Sequence, residues 1–203
     1  MINSLRNLPT PVSNWKEHPQ GIQWLLVDWA GQFFQKNKHL IPQKEKGCCM
    51  YPIATAPANI QRCSVHILST IPIELTSMDF PSNFWGGDRV KQCDGLIFPT
   101  SDQQYEALLF VETKYSQNKR AWKQYKKHAL KQITDTISEL SNRGCPIQQR
   151  KLYGLISCPL LNSMGASVFS LEELIKIYRT HNLEVHMGNT ATFQDAQNIS
   201  FTK

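Results

Sequence analysis

The 203-residue sequence contains no run approaching the ~20 uninterrupted apolar residues that a membrane span requires. Residues 1–20 are polar, hold prolines and lack an apolar signal core, so the cytosol is the expected compartment and no membrane partner is expected. No GxxxxGK[ST] loop is present to drive ATP-powered movement, and neither GxSxG nor HExxH occurs. The six cysteines never form CxxC; they read as reduced, mostly buried small hydrophobes rather than zinc ligands. There is no repeat at a period of 20–50 residues and no low-complexity linker.

What is present suits a folded chain: 41% hydrophobic and 19% charged residues, with a net charge of +6. The basic excess is compatible with a polyanionic partner without requiring one. One domain over 1–203 is expected, with residues 1–20 as a surface arm and 189–203 as a loose tail. Ile22, Leu25, Leu26, Trp29, Phe33 and Phe34 recur at three- and four-residue spacings, which predicts a helix over 21–38, followed by a proline-rich loop.

Strands are expected over 61–69, 90–98, 107–114, 151–158 and 183–188, with 72–87 irregular. The aromatic run Phe80 to Trp85 reads equally as core or as a self-association patch. An amphipathic pattern predicts a helix over 119–142, stopped by Gly144 and Pro146, and Ser170 with Glu173 forms a capping box opening a helix over 170–181. The fold class is therefore α/β, a mixed central sheet flanked by helices.

Asp94, Glu112 and Lys114 carry the sharpest chemical signal. Glu112 and Lys114 are two apart at the end of an apolar strand, so they share a face. If the turn between the two strands centres near Gln103, residues whose numbers add to 206 face each other, and Asp94 lies opposite Glu112. Two carboxylates at cross-strand distance repel, and a hard divalent cation is the obvious relief. The plain alternative is an exposed salt bridge between Glu112 and Lys114 at a strand edge.

Asp94, then 17 residues, then Glu112-Thr113-Lys114, set in the strands DGLIF and LLFVETK, resembles the PD-(D/E)XK nuclease superfamily, with its restriction-endonuclease-like core. As an order of elements the resemblance covers about residues 20–160; as letters it covers only those two strands. It implies that Asp94, Glu112 and the Thr113 carbonyl bind Mg²⁺, with Mn²⁺ as a substitute, and that Lys114 assists the attacking water. Cys93 stands where the motif's name has proline. The acid that many members carry on the first helix has only Asp28 to match it here, next to Trp29 on the predicted apolar side. Gln132 or Gln124 would match the glutamine some subfamilies place on the following helix.

No acid lies between Glu112 and Asp135, whereas Lys119, Arg120, Lys123, Lys126, Lys127 and Lys131 do, interleaved with Trp122 and Tyr125. The expectation is that the aromatics pack inward and the cations face outward toward phosphates. Glu74, Asp79 and Asp88 are unranked candidates for an accessory ligand, while His181 and His186 lack a third ligand and His128 reads as exposed. The expected activity is Mg²⁺-dependent phosphodiester hydrolysis, with double-stranded DNA as the leading substrate. A homodimer or a separate motor or specificity subunit would be its partner. The alternatives are a non-catalytic binding subunit of the same fold, and an RNase.

Overall fold

A computed structural model describes residues 2–6, 8, 15–43, 45–81, 84–85, 90–101, 103–116, 119–161 and 169–202. Helix α1 (Ile2–Arg6) precedes the long strand β1 (Lys16–Asp28), the short helix α2 (Gln32–Lys36) and β2 (Cys48–Pro52). Then come β3 (Val65–Asp79), β4 (Gly95–Pro99), β5 (Ala107–Thr113), α3 (Lys119–Asn142) and β6 (Lys151–Ser157). Helix α4 (Leu171–His181), β7 (Leu183–Met187), β8 (Thr190–Phe193) and β9 (Ile199–Thr202) complete the order.

The described strands form one nine-stranded mixed sheet in the order β2-β1-β3-β4-β5-β6-β7, with β8 and β9 joined through β3. From β2 to β5 every neighbour is antiparallel; β6 and β7 then run parallel to β5. The parallel pairs need crossovers, which α3 and α4 provide. Leu108 and Phe110 of β5 pack with Trp122, Ala129, Ile133 and Leu140 of α3, whereas Leu109 and Val111 face the opposite core with Trp24, Ile67 and Phe193. No described helix is long and apolar enough to cross a membrane.

The α/β class, the 119–142 helix and the strands at β5, β6 and β7 match the sequence reading. Gly144, at φ +77°, ends α3 as expected. Ser170 caps α4 by accepting from Glu173 N at 3.1 Å, while Ser170 N donates to Glu173 Oε2 at 2.8 Å.

The N-terminal third requires corrections. The predicted helix over 21–38 is strand as far as Asp28 and α-helical only over Gln32–Lys36: Trp24 and Leu26 pack into one core, and Leu25, Val27 and Trp29 into another on the opposite face. A strand covered on both faces reads as an unbroken apolar run, which can mimic helical spacing. Residues 16–20 belong to β1 rather than to a surface arm; a register shift between His18 and Gly21 accommodates Pro19, which has no N–H for the ladder. The loop after α2 contains β2. The stretch predicted irregular from 72 is strand as far as Asp79, with Pro72 lying where the β1–β3 register is shifted. The predicted 90–98 strand starts only at Gly95.

The reading of 189–203 as loose is also corrected. Ala191, Phe193 and Ile199 are buried, and β8 runs parallel to β3 with His66 opposite Thr190. Phe80, Phe84 and Trp85 are core residues packed ring against ring, so they offer no surface for self-association.

Candidate active site

The strand order brings the acids together. Gly95 pairs with Val111, Leu96 with Phe110 and Ile97 with Leu109, the 206 register expected from the turn. Asp94 lies just outside β4, on the same side of the sheet as Leu96 and Phe98, and Glu112 continues the Leu108–Phe110 row toward α3.

Helix α3 fixes the segment before Asp94. Thr136, fully buried, accepts from Cys93 N at 2.9 Å, and Gln132 Nε2 donates to the Gln92 carbonyl at 2.8 Å. Gln132 Oε1 is buried without a hydrogen-bond partner among the described residues. Gln132 thus borders the site, whereas Gln124 is exposed.

Glu112 is 0% exposed. One of its oxygens is ion-paired with Lys114 Nζ, and the other accepts from Asp94 N at 3.1 Å. Asp94 Oδ2 accepts from both Thr113 N and Thr113 Oγ1 at 2.6 Å. The exposed, strand-edge alternative for the Glu112–Lys114 pair is therefore overturned: β5 is interior to the sheet, between β4 and β6, and the carboxylate is buried. Lys114 N donates to Ser157 O on the β6 side at 2.8 Å, which continues the ladder one residue past β5.

Two further acids approach from the β1–β3 side. Asp28, buried at the end of β1, ionises only near pH 8: burial is the main cause, with Asp94 and then Asp79 adding to it against the pull of Ala30 N and Lys114. The sequence reading discounted Asp28 because it placed that residue on a helix; its position at a strand end was not visible in the spacing. Asp79 is buried. Glu74 is exposed, and Asp88 lies outside the described residues.

Burial raises Glu112 well above the ordinary carboxylate range, Asp94 raises it further, and Lys114 only partly opposes this. Asp94 is raised by burial, against Lys114 and the two Thr113 bonds. Burial alone would lower Lys114, but Glu112, Asp94 and Asp28 outweigh it and raise its pKa. Three buried or partly buried carboxyls, Glu112, Asp94 and Asp28, thus act on one ammonium, an imbalance toward negative charge in a region of low dielectric.

That imbalance suits a hard cation. A carboxylate has about four lone-pair sites, so Glu112 and Asp94 each keep acceptor capacity beyond the bonds described. Among the described residues, no group of three or more His, Cys, Asp and Glu side chains is already arranged to hold a metal ion. A cation here would rely on Asp94 and Glu112 with main-chain oxygen or water.

Helix α3 divides the predicted basic face. Lys127 and Lys131 are exposed, and Lys131 pairs with Asp135. Lys126 is a correction: it is buried, with its ammonium 6.0 Å from the Trp122 ring centre, because its position points into the sheet rather than to solvent. Tyr125 is the reverse correction, exposed where inward packing was expected. The side chains of Lys119, Arg120 and Lys123 lie outside the described residues. Exposed His128 is held below its ordinary pKa by slight burial and by the nearby Lys114, Lys91 and Lys131, so these cations share one region. Comparison with family models, with curated proteins and with solved structures gave no match for this chain.

Proposed function

We propose that this chain is a metal-dependent nuclease of the PD-(D/E)XK kind, hydrolysing phosphodiester bonds, with double-stranded DNA as its leading substrate and the cytosol as its setting. The observation that carries the reading is the buried carboxylate of Glu112, bridging the Lys114 ammonium and the backbone of Asp94. The surrounding order supports it: the antiparallel meander β3-β4-β5, the helix α3 and then β6 parallel to β5 form the series expected of a restriction-endonuclease-like core.

Asp94, Glu112 and the Thr113 carbonyl would hold Mg²⁺, with Mn²⁺ as a substitute. When bound, that ion supplies charge neutralisation at the phosphate and acidifies water. Lys114, kept protonated by its acidic neighbours, orients a water oxygen toward phosphorus and stabilises the charge that develops on the phosphate. As the bond from the water oxygen to phosphorus forms, the water releases one proton to solvent; the ester P–O bond breaks, and its leaving oxygen takes up one proton from solvent. Lys131 and Lys91 lie in the same region as Lys114, and with exposed Lys127 one turn before Lys131 on α3 they would grip flanking phosphates.

One observation favours a second reading, a nucleic-acid-binding subunit without turnover. Glu112 is fully buried, and each of its oxygens is engaged by a donor from its own chain. A cleavage assay separates the two readings, using supercoiled, linear and single-stranded DNA and RNA with Mg²⁺, Mn²⁺ or EDTA. Metal-dependent cleavage that vanishes in Lys114→Ala and Glu112→Gln is the expected result. Salt-sensitive binding with no cleavage by the wild type would select the binding subunit, and cleavage of RNA alone would select the RNase.

A further inference from the structure

Helix α4 carries three large apolar side chains in solvent: Leu171 at 74% exposure, Ile175 at 42% and Tyr178 at 57%. Their four- and three-residue spacings place them on one stripe. Leu174 and Ile177, on a neighbouring face, already pack against the core, so the stripe is not the side that anchors the helix. The charges run from acid to base along the axis, with Glu172 and Glu173 in the first turn, exposed Lys176 in the middle, and Arg179 and His181 in the last turn. Glu172 and Arg179 lie about two turns apart on the same flank, both exposed, and neither is ion-paired within the chain among the described residues.

We infer that α4 is a self-association surface, pairing antiparallel with α4 of a second copy about a two-fold axis near Ile175. That symmetry sets Ile175 against its own counterpart and Leu171 against the second copy's Tyr178. It keeps each flank beside the same flank of the other copy, so Glu172 meets the second copy's Arg179, twice per dimer. A parallel two-fold pairing would instead put the two Glu172–Arg179 flanks on opposite sides of the seam, leaving them unmatched, and would align the two helix dipoles unfavourably. The closed, isologous contact uses the stripe completely, which an open chain of copies would not. An 11-residue helix is only about 16 Å long, so this contact falls below the ~1,200 Å² of a permanent interface and the dimer is a weak, concentration-dependent one.

Sedimentation equilibrium of the full chain from about 10 µM to about 1 mM tests this, a span that covers weak dimers. The wild-type mass should climb toward that of a dimer across this range. Ile175→Asp should weaken association by at least about tenfold, since it places a charge at the centre of the contact. The position is exposed, and an unchanged thermal midpoint verifies that the variant folds. Glu172→Arg should also weaken the dimer, while Glu172→Arg combined with Arg179→Glu should restore it. That rescue belongs to antiparallel self-pairing alone. A chain that stays monomeric throughout, a dimer indifferent to Ile175→Asp, or a double reversal that fails to restore association would each overturn the inference.

Discussion

The backbone N–H of Asp94 donates to the Glu112 carboxylate at 3.1 Å, while the Asp94 carboxylate accepts from Thr113 N at 2.6 Å. Each of the facing segments thus satisfies the other's acid with main chain, and the two carboxylates are held side by side despite their repulsion. The backbone holds together what the charges would push apart.

Neutralising Glu112 should therefore relieve the fold while ending the proposed chemistry. Glu112→Gln is expected to change stability by less than about 1 kcal/mol or to raise it, because one charge leaves a crowded acidic site. Lys114→Met should cost about 2–3 kcal/mol at pH 8, since Glu112 loses its cation, and less at pH 5, where Glu112 can take up a proton. Urea melts of both variants at the two pH values check this. A Glu112→Gln variant several kcal/mol less stable than wild type would contradict the charge imbalance.

The metal-free protein should lose stability as pH rises. Asp28 ionises near 8 in the fold against an ordinary value of 3.8, so between those values the folded state holds an extra proton that the unfolded chain has released. Its stabilising contribution is complete below about pH 4 and is lost as pH passes through 8. Glu112 and Asp94, raised in the same direction, contribute with the same sign. Thermal melts in EDTA should show this decline, and Asp28→Asn should flatten it.

Added Mg²⁺ should reverse that trend, because a cation competes with protons for the same oxygens. The expected rise in melting temperature is larger at pH 8 than at pH 5 and disappears in Asp94→Asn. At 100 times the dissociation constant the gain would be about 2.7 kcal/mol. A shift that survives Asp94→Asn would place the ion elsewhere.

The two kinds of lysine on α3 should separate cleanly. Lys127→Ala with Lys131→Ala should leave stability nearly unchanged and lower the salt dependence of DNA binding, by about 0.9 in log–log slope for each phosphate contact removed. Lys126→Ala should instead cost about 1–2 kcal/mol, as a buried stem beside Trp122 is lost. Filter binding across salt concentrations, with melts of the same proteins, distinguishes the two effects.

Gly31 tests the support behind Asp28. A Cβ there would lie 2.5 Å from the Tyr115 ring, and the Tyr115 hydroxyl accepts from Asp28 N at 3.0 Å. Gly31→Ala should displace the ring, destabilise the protein and lower the fitted pKa of Asp28 as water gains access. Near-ultraviolet circular dichroism would report the aromatic change.

The sequence revealed most where one periodicity dominated. Trp122, Ala129, Ile133 and Leu140 allow only a helix, and the 206 register followed from the short turn between two apolar runs, both buried on each face. It misled where burial on both faces erased the pattern, as in Trp24 to Trp29, and where strands were as short as β8 and β9. Asp28, named only as a first-helix acid on the apolar side, was misplaced for the same reason: once its strand was read as a helix, its side chain pointed to the wrong place. Lys126 was misassigned because charge alone suggested solvent, while its position on α3 faces the sheet.

Tyr115 and Asp28, bonded to each other at the rim of the acidic site, are 87 residues apart in the chain. Lys114 is tied in addition to Ser157 across β6, so the site draws on strands from both the antiparallel and the parallel parts of the sheet. Contacts this distant in sequence form late in folding, after the entropy of closing long loops has been overcome. The local β4–β5 pairing brings Asp94 and Glu112 together across only 18 residues, but Asp28 joins them only in the step that completes the sheet. A partly folded chain can therefore hold the Asp94–Glu112 pair without its Asp28 and β6 supports, and a refolding experiment should see activity return together with the last tertiary signal.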